Sequence, residues 1–385
     1  MDVYKISQQF LVGLLAIAFL FSCNNTKNDQ KTLRLGEELI IPVSNQFDVD
    51  QGRFTYYHGD KKGEEYLIYY NKNNNVVSEV SLSQQSEHKL FSLATSGEYN
   101  VGDAMIVQKL TTDSFLVNSP LTYNMSWVDR NGHPVKHIAF LEGSSNNQTS
   151  TIWFGERSPF VKVNNRIYVG AAPDKDLSSI SFYKNSNTLF EWAVETDSFR
   201  YFMPFPKRVQ EDLWGINCSM PTICLSLDQK KLLLNYPMMK SLISYDLKTK
   251  TSREISILNG ANYEVEPRGS KYRQNNIYVY DMTTPYLYTS LIRDPYRKVY
   301  YRIVEHGLDA ELVKETRYKY WLYKDISVLV YNESFEQIGS RRLASGRYAC
   351  RKFFVGEKGL YVQLFHPDNQ NLSEDELKFQ CFELK

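Results

Sequence analysis

Arginine and tyrosine residues are concentrated in two short stretches of the sequence, "EPRGSKYRQNN" (266–276) and "RDPYRKVYYRIVEHG" (293–307). The planar guanidinium group forms paired hydrogen bonds with carboxylates and other anions, and aromatic rings stack on sugars or peptides. The two stretches therefore predict a site for an anionic or carboxylate-bearing ligand. The candidate ligand-binding residues are Arg268, Tyr272, Arg273, Arg293, Arg297, Tyr300, Arg302 and Trp321.

The same arginines also have a structural interpretation, which the sequence leaves open. Arg293, Arg297 and Arg302 lie on an expected pair of inner strands, where arginines also bridge strands or pair with carboxylates such as Asp294 and Glu305. Aromatic residues on the neighbouring loops likewise fill a core more often than they contact a ligand. Side-chain chemistry alone therefore allows either a ligand site or internal pairing in this region.

Three of the five cysteines have an expected role. Cys23 follows an apolar run, 10–21, which is too short for a membrane-spanning helix of about 20 residues but suits a secretory signal. Cys218 and Cys224 flank Met220-Pro221 and are candidates for a disulfide across that turn, with buried free thiols as the alternative. Neither a CxxC pair nor a neighbouring histidine indicates zinc, so no metal is expected.

The sequence lacks the common catalytic motifs. It has no GxSxG nucleophile elbow, no HExxH helix, no phosphate-binding loop and no GxGxxG dinucleotide motif. The formal charge is +1, from 45 basic and 44 acidic residues spread along the chain, and no basic tract indicates a nucleic-acid partner. We therefore expect no cofactor and no catalytic residue, and a non-enzymatic function is favoured.

The elements that position these residues form a repeat. A pair of strand-like segments recurs six times, about every sixty residues. The first strands of the pairs start at Arg53, Ser114, Arg166, Lys231, Lys298 and Leu360. The second strands are expected at 65–75, 123–132, 179–187, 241–250, 326–335 and 377–385. With a further strand before and after most pairs, the pattern predicts an all-β fold, a six-bladed β-propeller of four-stranded antiparallel blades.

The sixth repeat ends at Lys385 without an outermost strand. Residues 32–43 are strand-like and belong to no repeat, so we expect them to close the ring beside residues 377–384. The expected organisation is a lipoprotein signal peptide, a lipidated tether and a single propeller domain, at 1–22, 23–31 and 32–385. Two β-sandwich domains are the alternative fold, although no linker rich in proline and glycine separates two halves.

The long connections between the expected strands lie on one face of the propeller. In an antiparallel blade, the loop to the next blade and the loop between the second and third strands emerge on the same side. Connections of this kind that exceed the usual loop length cover 83–104, 142–159, 195–221, 258–287 and 305–325. Asp309 is expected to cap a short helix in the last of them. The long-loop face is therefore the expected binding face.

The sequence Leu20-Phe21-Ser22-Cys23 resembles the lipobox of bacterial lipoproteins, in which the cysteine is acylated and becomes the mature N terminus, with a plain signal peptide and an incidental cysteine as the alternative. With the six irregular blades and the segment "DPYRKVYYRIVEHG" (294–307), the chain resembles the Bacteroides-type, TolB-like six-bladed β-propeller lipoproteins, domain-of-unknown-function family 4221. The resemblance implies a propeller anchored to the lipid bilayer through acylated Cys23, since several acyl chains give stable attachment. It implies no catalytic residues.

These observations predict a lipid-anchored protein of the bacterial outer membrane. Only Asp29 is acidic in the stretch after Cys23, where surface-exposed lipoproteins of this type often carry an acidic cluster, so the periplasmic face is favoured over the cell surface. The expected function is non-catalytic binding or scaffolding of a peptide, an envelope protein or a glycan on the long-loop face. Two alternatives are kept: a carbohydrate-active propeller enzyme (glycoside hydrolase or lyase) with carboxylates in the central funnel, and a structural component of a larger envelope assembly.

Overall fold

The strands of the protein form six antiparallel sheets that surround a central channel. The computed structural model describes residues 31–44, 52–59, 61, 63–139, 148–258, 263–268, 277–315, 320–365, 373 and 375–385. The expected signal peptide, Cys23 and nearly all of the tether lie outside these residues. Each sheet is one blade, so the predicted six-bladed β-propeller is confirmed and the alternative of two β-sandwich domains is wrong.

The first strand of the chain, β1 (Leu33–Pro42), belongs to the last blade. From the channel outwards, blade one consists of β2 (Arg53–His58), β3 (Glu65–Asn71), β4 (Val76–Ser81) and β5 (Ser86–Ser92). Blade two consists of β6 (Ile106–Thr111), β7 (Ser114–Ser119), β8 (Asn124–Asp129) and β9 (Pro134–Ala139). Blade three has two short inner strands and three longer ones, β10 (Ser150–Trp153), β11 (Val161–Val163), β12 (Arg166–Pro173), β13 (Asn187–Ala193) and β14 (Ser198–Pro204).

The second half of the ring follows the same order. Blade four consists of β15 (Thr222–Leu225), β16 (Lys231–Asn235), β17 (Leu242–Asp246) and β18 (Ser252–Ile255). Blade five consists of β19 (Tyr286–Asp294), β20 (Val299–His306), β21 (Ile326–Tyr331) and β22 (Gln337–Leu343). Blade six consists of β1 on the outside and, from the channel, β23 (Tyr348–Val355), β24 (Leu360–Leu364) and β25 (Glu376–Leu384).

In the part of the chain that the structure describes, helices lie in the connections between strands. The α-helices there are α1 (Ile180–Lys184), α2 (Ile277–Thr283) and α3 (Ala310–Glu315). Single 3₁₀ turns cover Pro120–Thr122, Lys207–Val209, Ile216–Cys218 and Tyr320–Tyr323. Within the described ranges, no helix has the length and apolar character needed to cross a bilayer.

The N-terminal strand closes the ring, as predicted. β1 pairs antiparallel with β25, from Leu33 opposite Leu384 to Pro42 opposite Glu376, with one irregularity between Leu35 and Glu38. Blade six therefore takes three strands from the C-terminal end of the chain and its outermost strand from the N-terminal end. This pairing therefore holds the N-terminal strand in the ring, and β1 cannot leave blade six without breaking it.

Apolar residues occupy both faces of the middle strands because each blade packs between two others. All six residues of β21 are buried, whereas every residue of the outer strand β18 is partly or fully exposed. Each pair of neighbouring blades shares one hydrophobic cluster. The nearly continuous apolar runs of the middle strands follow from this two-sided burial.

Two predicted details are wrong. The strand expected at 179–187 contains the helix α1, which Ser179 caps by accepting a hydrogen bond from the N–H of Ser181 (3.2 Å). A short stretch that alternates apolar and polar residues does not by itself distinguish a helix from a strand. The expected loops 83–104 and 195–221 each contain an outer strand, β5 and β14, and the expected loop 142–159 contains the inner strand β10. Blade one is consequently offset, since the segment starting at Arg53 is its innermost strand and not its second.

The two faces of the propeller differ in the length of their loops. On the lower face, hairpin turns of two to six residues join the first strand of a blade to the second and the third to the fourth. On the upper face, the longest connections precede β15, precede β19 and join β20 to β21. The last of these contains α3, where Asp309 accepts a hydrogen bond from the N–H of Leu312 (2.9 Å), as the sequence predicts. The upper face is the long-loop face.

Candidate binding site in the upper funnel

A turn of blade three divides the central channel. Between β10 and β11, Gly155 and Ser158 exchange two backbone hydrogen bonds of 3.1 Å and close a tight turn. Glu156 and Arg157, the two residues inside this turn, line cavities on both of its sides. The channel is thereby separated into an upper funnel, which opens on the long-loop face, and a lower funnel, which opens among the short turns.

The upper funnel has a volume of about 350 Å³. Successive blades start their innermost strands at the upper face, so the first residues of these strands converge on this cavity. Its wall includes Arg53 at the start of β2, Thr222 at the start of β15 and Arg351 in β23. Upper-face loops add Met220 and Trp321. Residues far apart in the sequence therefore form one site.

A fully buried carboxylate, Glu305 of β20, organises the charges behind this wall. Arg351 donates from Nε and Nη2 to the two carboxylate oxygens, each at 3.0 Å. Lys324 Nζ lies 3.7 Å and Arg157 Nη1 3.9 Å from the same carboxylate. Burial alone would raise the pKa of Glu305, but the three cations outweigh it and lower the pKa to about 2. Glu305 is therefore ionised at neutral pH.

Positive charge is in excess around the upper funnel. Arg157 has 28% of its side chain exposed and makes no hydrogen bond within the described residues. Burial, together with the neighbouring Arg351, lowers the pKa of Arg157 to about 10. The charged groups in or directly behind the wall are five cations, Arg53, Arg157, Lys324, Arg351 and Lys352, and three acidic groups, Glu156, Glu305 and Asp281. Burial raises the pKa of Asp281 to about 7, so Asp281 adds less than a full negative charge at neutral pH. The funnel is thus suited to an anion.

Further groups of the wall add apolar surface and an unused hydroxyl. Trp153 and Trp321 are partly buried and present aromatic surface to the cavity. The hydroxyl of Thr289 is buried and has no hydrogen-bond partner among the described residues. A polar ligand in the funnel is therefore offered cationic, aromatic and hydroxyl contacts. Within the described ranges, no group of three His, Cys, Asp or Glu side chains is arranged to hold a metal ion.

The predicted site residue Arg297 has internal partners on the lower face. It lies in the turn between β19 and β20, where Asp294 accepts hydrogen bonds from the N–H groups of Tyr296 and Arg297 at 2.9 Å each. The Arg297 guanidinium forms an ion pair with Asp294 (2.7 Å) and donates to the carbonyls of Gly356 and Glu357 at 2.8 Å each. This part of the segment 294–307 therefore fastens blade five to blade six.

Arg302 and Tyr300 also have structural roles. The buried Arg302 guanidinium donates to Asn235 Oδ1 (2.7 Å) and to the carbonyls of Met239 and Lys240, all in blade four or its loop. Tyr300 is buried, and its hydroxyl accepts a hydrogen bond from the N–H of Leu227 (2.8 Å). Both side chains join blade five to blade four. Arg302 and Tyr300 therefore form hydrogen bonds within the protein, which is the alternative that the sequence left open.

The remaining predicted residues are scattered. Arg268 is buried and donates to the carbonyl of Leu177 (3.3 Å). Arg293 lines the lower funnel, and Trp321 lines the upper one. Tyr272 and Arg273 lie outside the described residues. The structure therefore brings one predicted ligand-binding residue, Trp321, to the upper funnel.

The two cysteines of the candidate disulfide are free and buried. Cys218 packs in the cluster between blades three and four, whereas Cys224 packs in the cluster between blades four and five. Because the side chains enter different cores, the pairing across Met220-Pro221 is not formed. The alternative of buried free thiols describes both residues.

Sequence reasoning missed the charged residues of the upper funnel. Arg157, Lys324 and Arg351 come from three separate segments, so no local motif contains them. One signal was available: Glu305 lies in a strand of otherwise mostly apolar residues, and a carboxylate in such a strand requires cationic partners. The sequence suggested that Glu305 pairs with the nearby arginines, but its partners come from blades three and six and from the loop before β21.

Comparisons with known proteins bear on fold and family. A crystal structure of a DUF4221 family member from Bacteroides vulgatus matches with a TM-score of 0.79 and 19% identity over 93% of this chain and 99% of that chain. The structure of a Bacteroides fragilis protein described as a putative exported protein matches with a TM-score of 0.55 and 8% identity, over 92% of this chain and 95% of that chain. No protein of curated function matches the sequence. At these identities the two structures show a shared propeller fold and no activity.

The sequence resemblance to the family is confirmed by a match along most of the chain. The family model for the domain of unknown function DUF4221 matches residues 21–341, which include β1, the complete blades one to four, and blade five except for the end of β22. The segment 294–307, with its turn and its inner strand, lies within this match. The chain belongs to the DUF4221 family.

Proposed function

We propose that the protein is a non-catalytic binding propeller that holds an anionic group of a peptide, an envelope protein or a glycan in its upper funnel. The observation that carries the proposal is the excess of cationic side chains around a cavity on the long-loop face. Arg157 is the central residue, since its guanidinium faces the funnel, and its closest carboxylate, that of Glu305, is 3.9 Å away.

Electrostatics supports this assignment. A cation that is largely removed from water is costly unless a charge of opposite sign approaches it. Glu305 is shared by three cations and is already bound through both oxygens by Arg351. A carboxylate, sulfate or phosphate that enters the upper funnel completes the coordination of Arg157, while Trp153 and Trp321 offer surfaces on which a sugar or an apolar side chain stacks.

The second candidate, a carbohydrate-active enzyme, requires a pair of carboxyl groups that act as acid and base or nucleophile. The carboxyl groups in or behind the wall of the upper funnel are Glu156, Glu305 and Asp281, of which Asp281 is fully buried and does not line the cavity. Glu305 is a poor proton donor, because its cationic neighbours lower its pKa to about 2 despite its burial. Glu156 accepts a hydrogen bond from the N–H of Phe54 (3.3 Å) and lies 3.8 Å from Arg53. These pairings favour binding over acid catalysis.

The proposal includes anchoring of the protein to the periplasmic face of the outer membrane through acylated Cys23. β1 starts on the lower face, because Leu33 pairs with Leu384 at the lower end of β25. The tether from Cys23 to Lys31 therefore joins the propeller at its lower face and spans at most about 30 Å. An anchored propeller then directs its upper funnel away from the bilayer, towards partners in the envelope.

Charge-matched ligands test the binding proposal. Binding of hexagalacturonate and its methyl ester, and of hexaglutamate and hexaglutamine, is measured by calorimetry and by tryptophan fluorescence. We expect at least one anionic member to bind and its neutral counterpart to bind at least tenfold more weakly, since charge-assisted hydrogen bonds are the stronger kind. Fluorescence is informative because Trp153 and Trp321 line the funnel.

Arg157→Gln is the decisive variant, because it removes a charge without removing a hydrogen bond. We expect it to weaken binding of the anionic ligand about tenfold or more. Arg208→Gln is the matched control, since Arg208 lies on the same face with 52% of its side chain exposed and should not affect binding. Equal affinity for charged and neutral ligands, or full binding by Arg157→Gln, contradicts the proposal.

Anchoring is tested separately in cells. We expect the wild-type protein to incorporate an alkyne-labelled fatty acid and to enter the detergent phase with outer membranes. Cys23→Ser should lose the label, whereas Cys218→Ser, which changes a buried thiol of the core, should keep it. A labelled Cys23→Ser protein would refute the assigned attachment site.

A further inference from the structure

The lower funnel is a second cavity, of a different chemical kind. It has a volume of about 550 Å³, within the range of small-molecule sites. It lies below the turn of blade three, where the lower halves of the inner strands meet. Its wall is mainly aromatic and aliphatic, with Phe54, Phe160, Leu291, Phe353 and Phe354 as examples. Such a cavity is suited to the apolar part of a ligand.

One cation in this wall has no partner. Arg293 of β19 lines the lower funnel, and within the described residues it forms neither an ion pair nor a hydrogen bond. Its Nε atom is buried and unpaired. A guanidinium group normally donates several hydrogen bonds, so an unpaired one on an apolar wall leaves binding capacity unused.

The other charged groups of the lower funnel do not neutralise Arg293. Glu156 is directed to Arg53 (3.8 Å) and to the N–H of Phe54. Arg157, which lines both funnels, forms an ion pair with Glu305 (3.9 Å). Lys162 Nζ lies 3.5 Å from the carbonyl of Leu110, and His58 contacts Glu357 (3.3 Å) outside the cavity wall. The carboxylate that lines the cavity, Glu156, is thus paired elsewhere.

We propose that the lower funnel binds an amphipathic anion, in which a single carboxylate or phosphate pairs with Arg293 and a medium-length acyl chain fills the apolar cavity. The two halves of this ligand correspond to the two properties of the cavity, its apolar wall and its one unpaired cation. The turn of blade three separates this site from the upper funnel and lines both, but Arg293 lines the lower funnel alone, so the inference does not depend on the function proposed for the upper funnel.

The position of β1 is compatible with such a ligand. Thr32 exchanges backbone hydrogen bonds with Lys385 (2.9 and 3.0 Å), which places the start of the fold at the lower face. The lower funnel opens on the same face. If the preceding residues tether the chain to a bilayer, the cavity lies on the side from which acyl chains are supplied.

Photolabelling of the full chain tests the inference. The protein is reconstituted in nanodiscs of phosphatidylcholine and exposed to diazirine analogues of dodecanoic acid, dodecyl phosphate and dodecanol. Labelled peptides are mapped by mass spectrometry. We expect the acid, the phosphate or both to label peptides containing 54–58, 223–225 or 353–355, and the neutral alcohol to label them about tenfold less. The two anionic probes distinguish a fatty acid from a phosphate-bearing lipid.

Variants of Arg293 test whether its positive charge binds the anionic probes. Arg293→Gln should reduce labelling by the anionic probes about tenfold, whereas Arg293→Lys should restore most of it because the charge is kept. Arg130→Gln, an exposed arginine in a turn of the same face, should label as the wild type does. Thermal melting of each variant verifies that the fold is intact. Equal labelling by the alcohol, labelling confined to the upper funnel, or unchanged labelling of a folded Arg293→Gln protein would overturn the inference.

Discussion

The upper and lower funnels are built by the same inner strands but are held together by different forces. In the upper funnel, Glu305 is bound by Arg351 at 3.0 Å, with Lys324 and Arg157 within 4 Å. In the lower funnel, Phe354 stacks between Tyr56 and Tyr361, with ring centroids 5.2 and 4.8 Å apart. Ion pairs fix the first site, and aromatic packing fixes the second.

The difference between the funnels arises along single inner strands, each of which contributes residues to both sites. β23 runs from the upper face to the lower, with Arg351 in its upper half and Phe353 and Phe354 in its lower half. β2 likewise leads from Arg53 in the upper funnel to His58 in the lower one. Position along the strand therefore selects the funnel, and the change from charged to apolar residues along it gives the funnels opposite chemistry.

Both funnels depend on the closed ring of blades, so deletion of residues 32–43 has the largest expected effect. The deletion removes β1, exposes the edge of β25 and opens the contact between the ends of the chain. We expect loss of the cooperative unfolding transition, measured by circular dichroism, and loss of the binding proposed for each funnel. Deletion of 24–30, which shortens the tether and removes no described strand, is the control and should melt as the full chain does. A folded protein without residues 32–43 would show that ring closure is dispensable.

Phe354→Ala tests the lower funnel. Phe354 is 4% exposed and contacts Phe54 and Phe379 in addition to the two tyrosines. Its removal should lower the free energy of unfolding by about 3–5 kcal/mol, because a large cavity replaces a packed ring. Denaturant titrations at pH 7 and pH 4 should give the same loss, since Phe354 carries no charge. Leu121→Ala, at a site 69% exposed, should cost less than about 0.5 kcal/mol. A strong pH dependence of the Phe354→Ala effect would contradict the assignment to packing.

The sequence predicted the ring and its closure because both depend on local patterns. Strand-like segments such as 326–335 show the alternation and apolar content of blade strands, and the missing outer strand of the last repeat pointed to residues 32–43. Where a pattern was short, prediction failed: 179–187 fits a strand and contains the helix α1. Fold-level inference therefore succeeded where repetition supported it.

The site was not predictable in the same way. The segment 293–307 was predicted as a site because its arginines are close in sequence, but in the structure Arg297 and Arg302 bond to neighbouring blades. The charges of the upper funnel come together only when the ring closes, since Arg157 and Arg351 lie in blades three and six. Glu305 in a mostly apolar strand is a local sign of such a cluster, but nothing in the sequence near it identifies the cationic partners that tertiary structure brings to it.

Glu305→Gln tests the ion pairs of the upper funnel. It leaves Arg351, Lys324 and Arg157 without their common carboxylate, so we expect a loss of about 3 kcal/mol at pH 7. Cationic neighbours, acting against burial, lower the pKa of Glu305 from 4.5 to about 2 in the folded protein. Its contribution is therefore present above about pH 4.5 and is lost as the pH falls towards 2. The difference between variant and wild type should shrink over this range.

Denaturant titrations from pH 7 to pH 3 measure this dependence. Glu37→Gln, whose side chain is 87% exposed, is the control and should change the stability by less than about 0.5 kcal/mol at each pH. If Glu305→Gln costs the same at pH 3 as at pH 7, the carboxylate does not stabilise the funnel through its charge.

Asp281→Asn has the smallest expected effect and the opposite dependence on pH. Asp281 is buried behind the upper funnel, where its Oδ2 accepts hydrogen bonds from the N–H groups of Ile216 (3.0 Å) and Asn217 (3.2 Å). Burial raises its pKa from 3.8 to about 7, although these hydrogen bonds and Lys324 oppose the shift. The folded protein thus holds a proton that the unfolded chain has lost, so this stabilisation is complete below about pH 3.8 and declines as the pH rises through 7.

The expected decline for the wild type between pH 6 and pH 8 is about 1.4 kcal/mol, and Asp281→Asn should remove it because the amide does not titrate. Denaturant titrations at the two pH values measure the difference, with Asp176→Asn, in an exposed turn, as the control. Since Asn217 lines the upper funnel, ionisation of Asp281 between pH 6 and pH 8 should change the tryptophan fluorescence of that funnel. Photolabelling of the lower funnel should stay unchanged over the same pH range. If the stability of wild type and of Asp281→Asn changes equally between pH 6 and pH 8, the Asp281 carboxyl ionises in the folded protein without cost. Glu305 would then be the titrating group that distinguishes the two funnels.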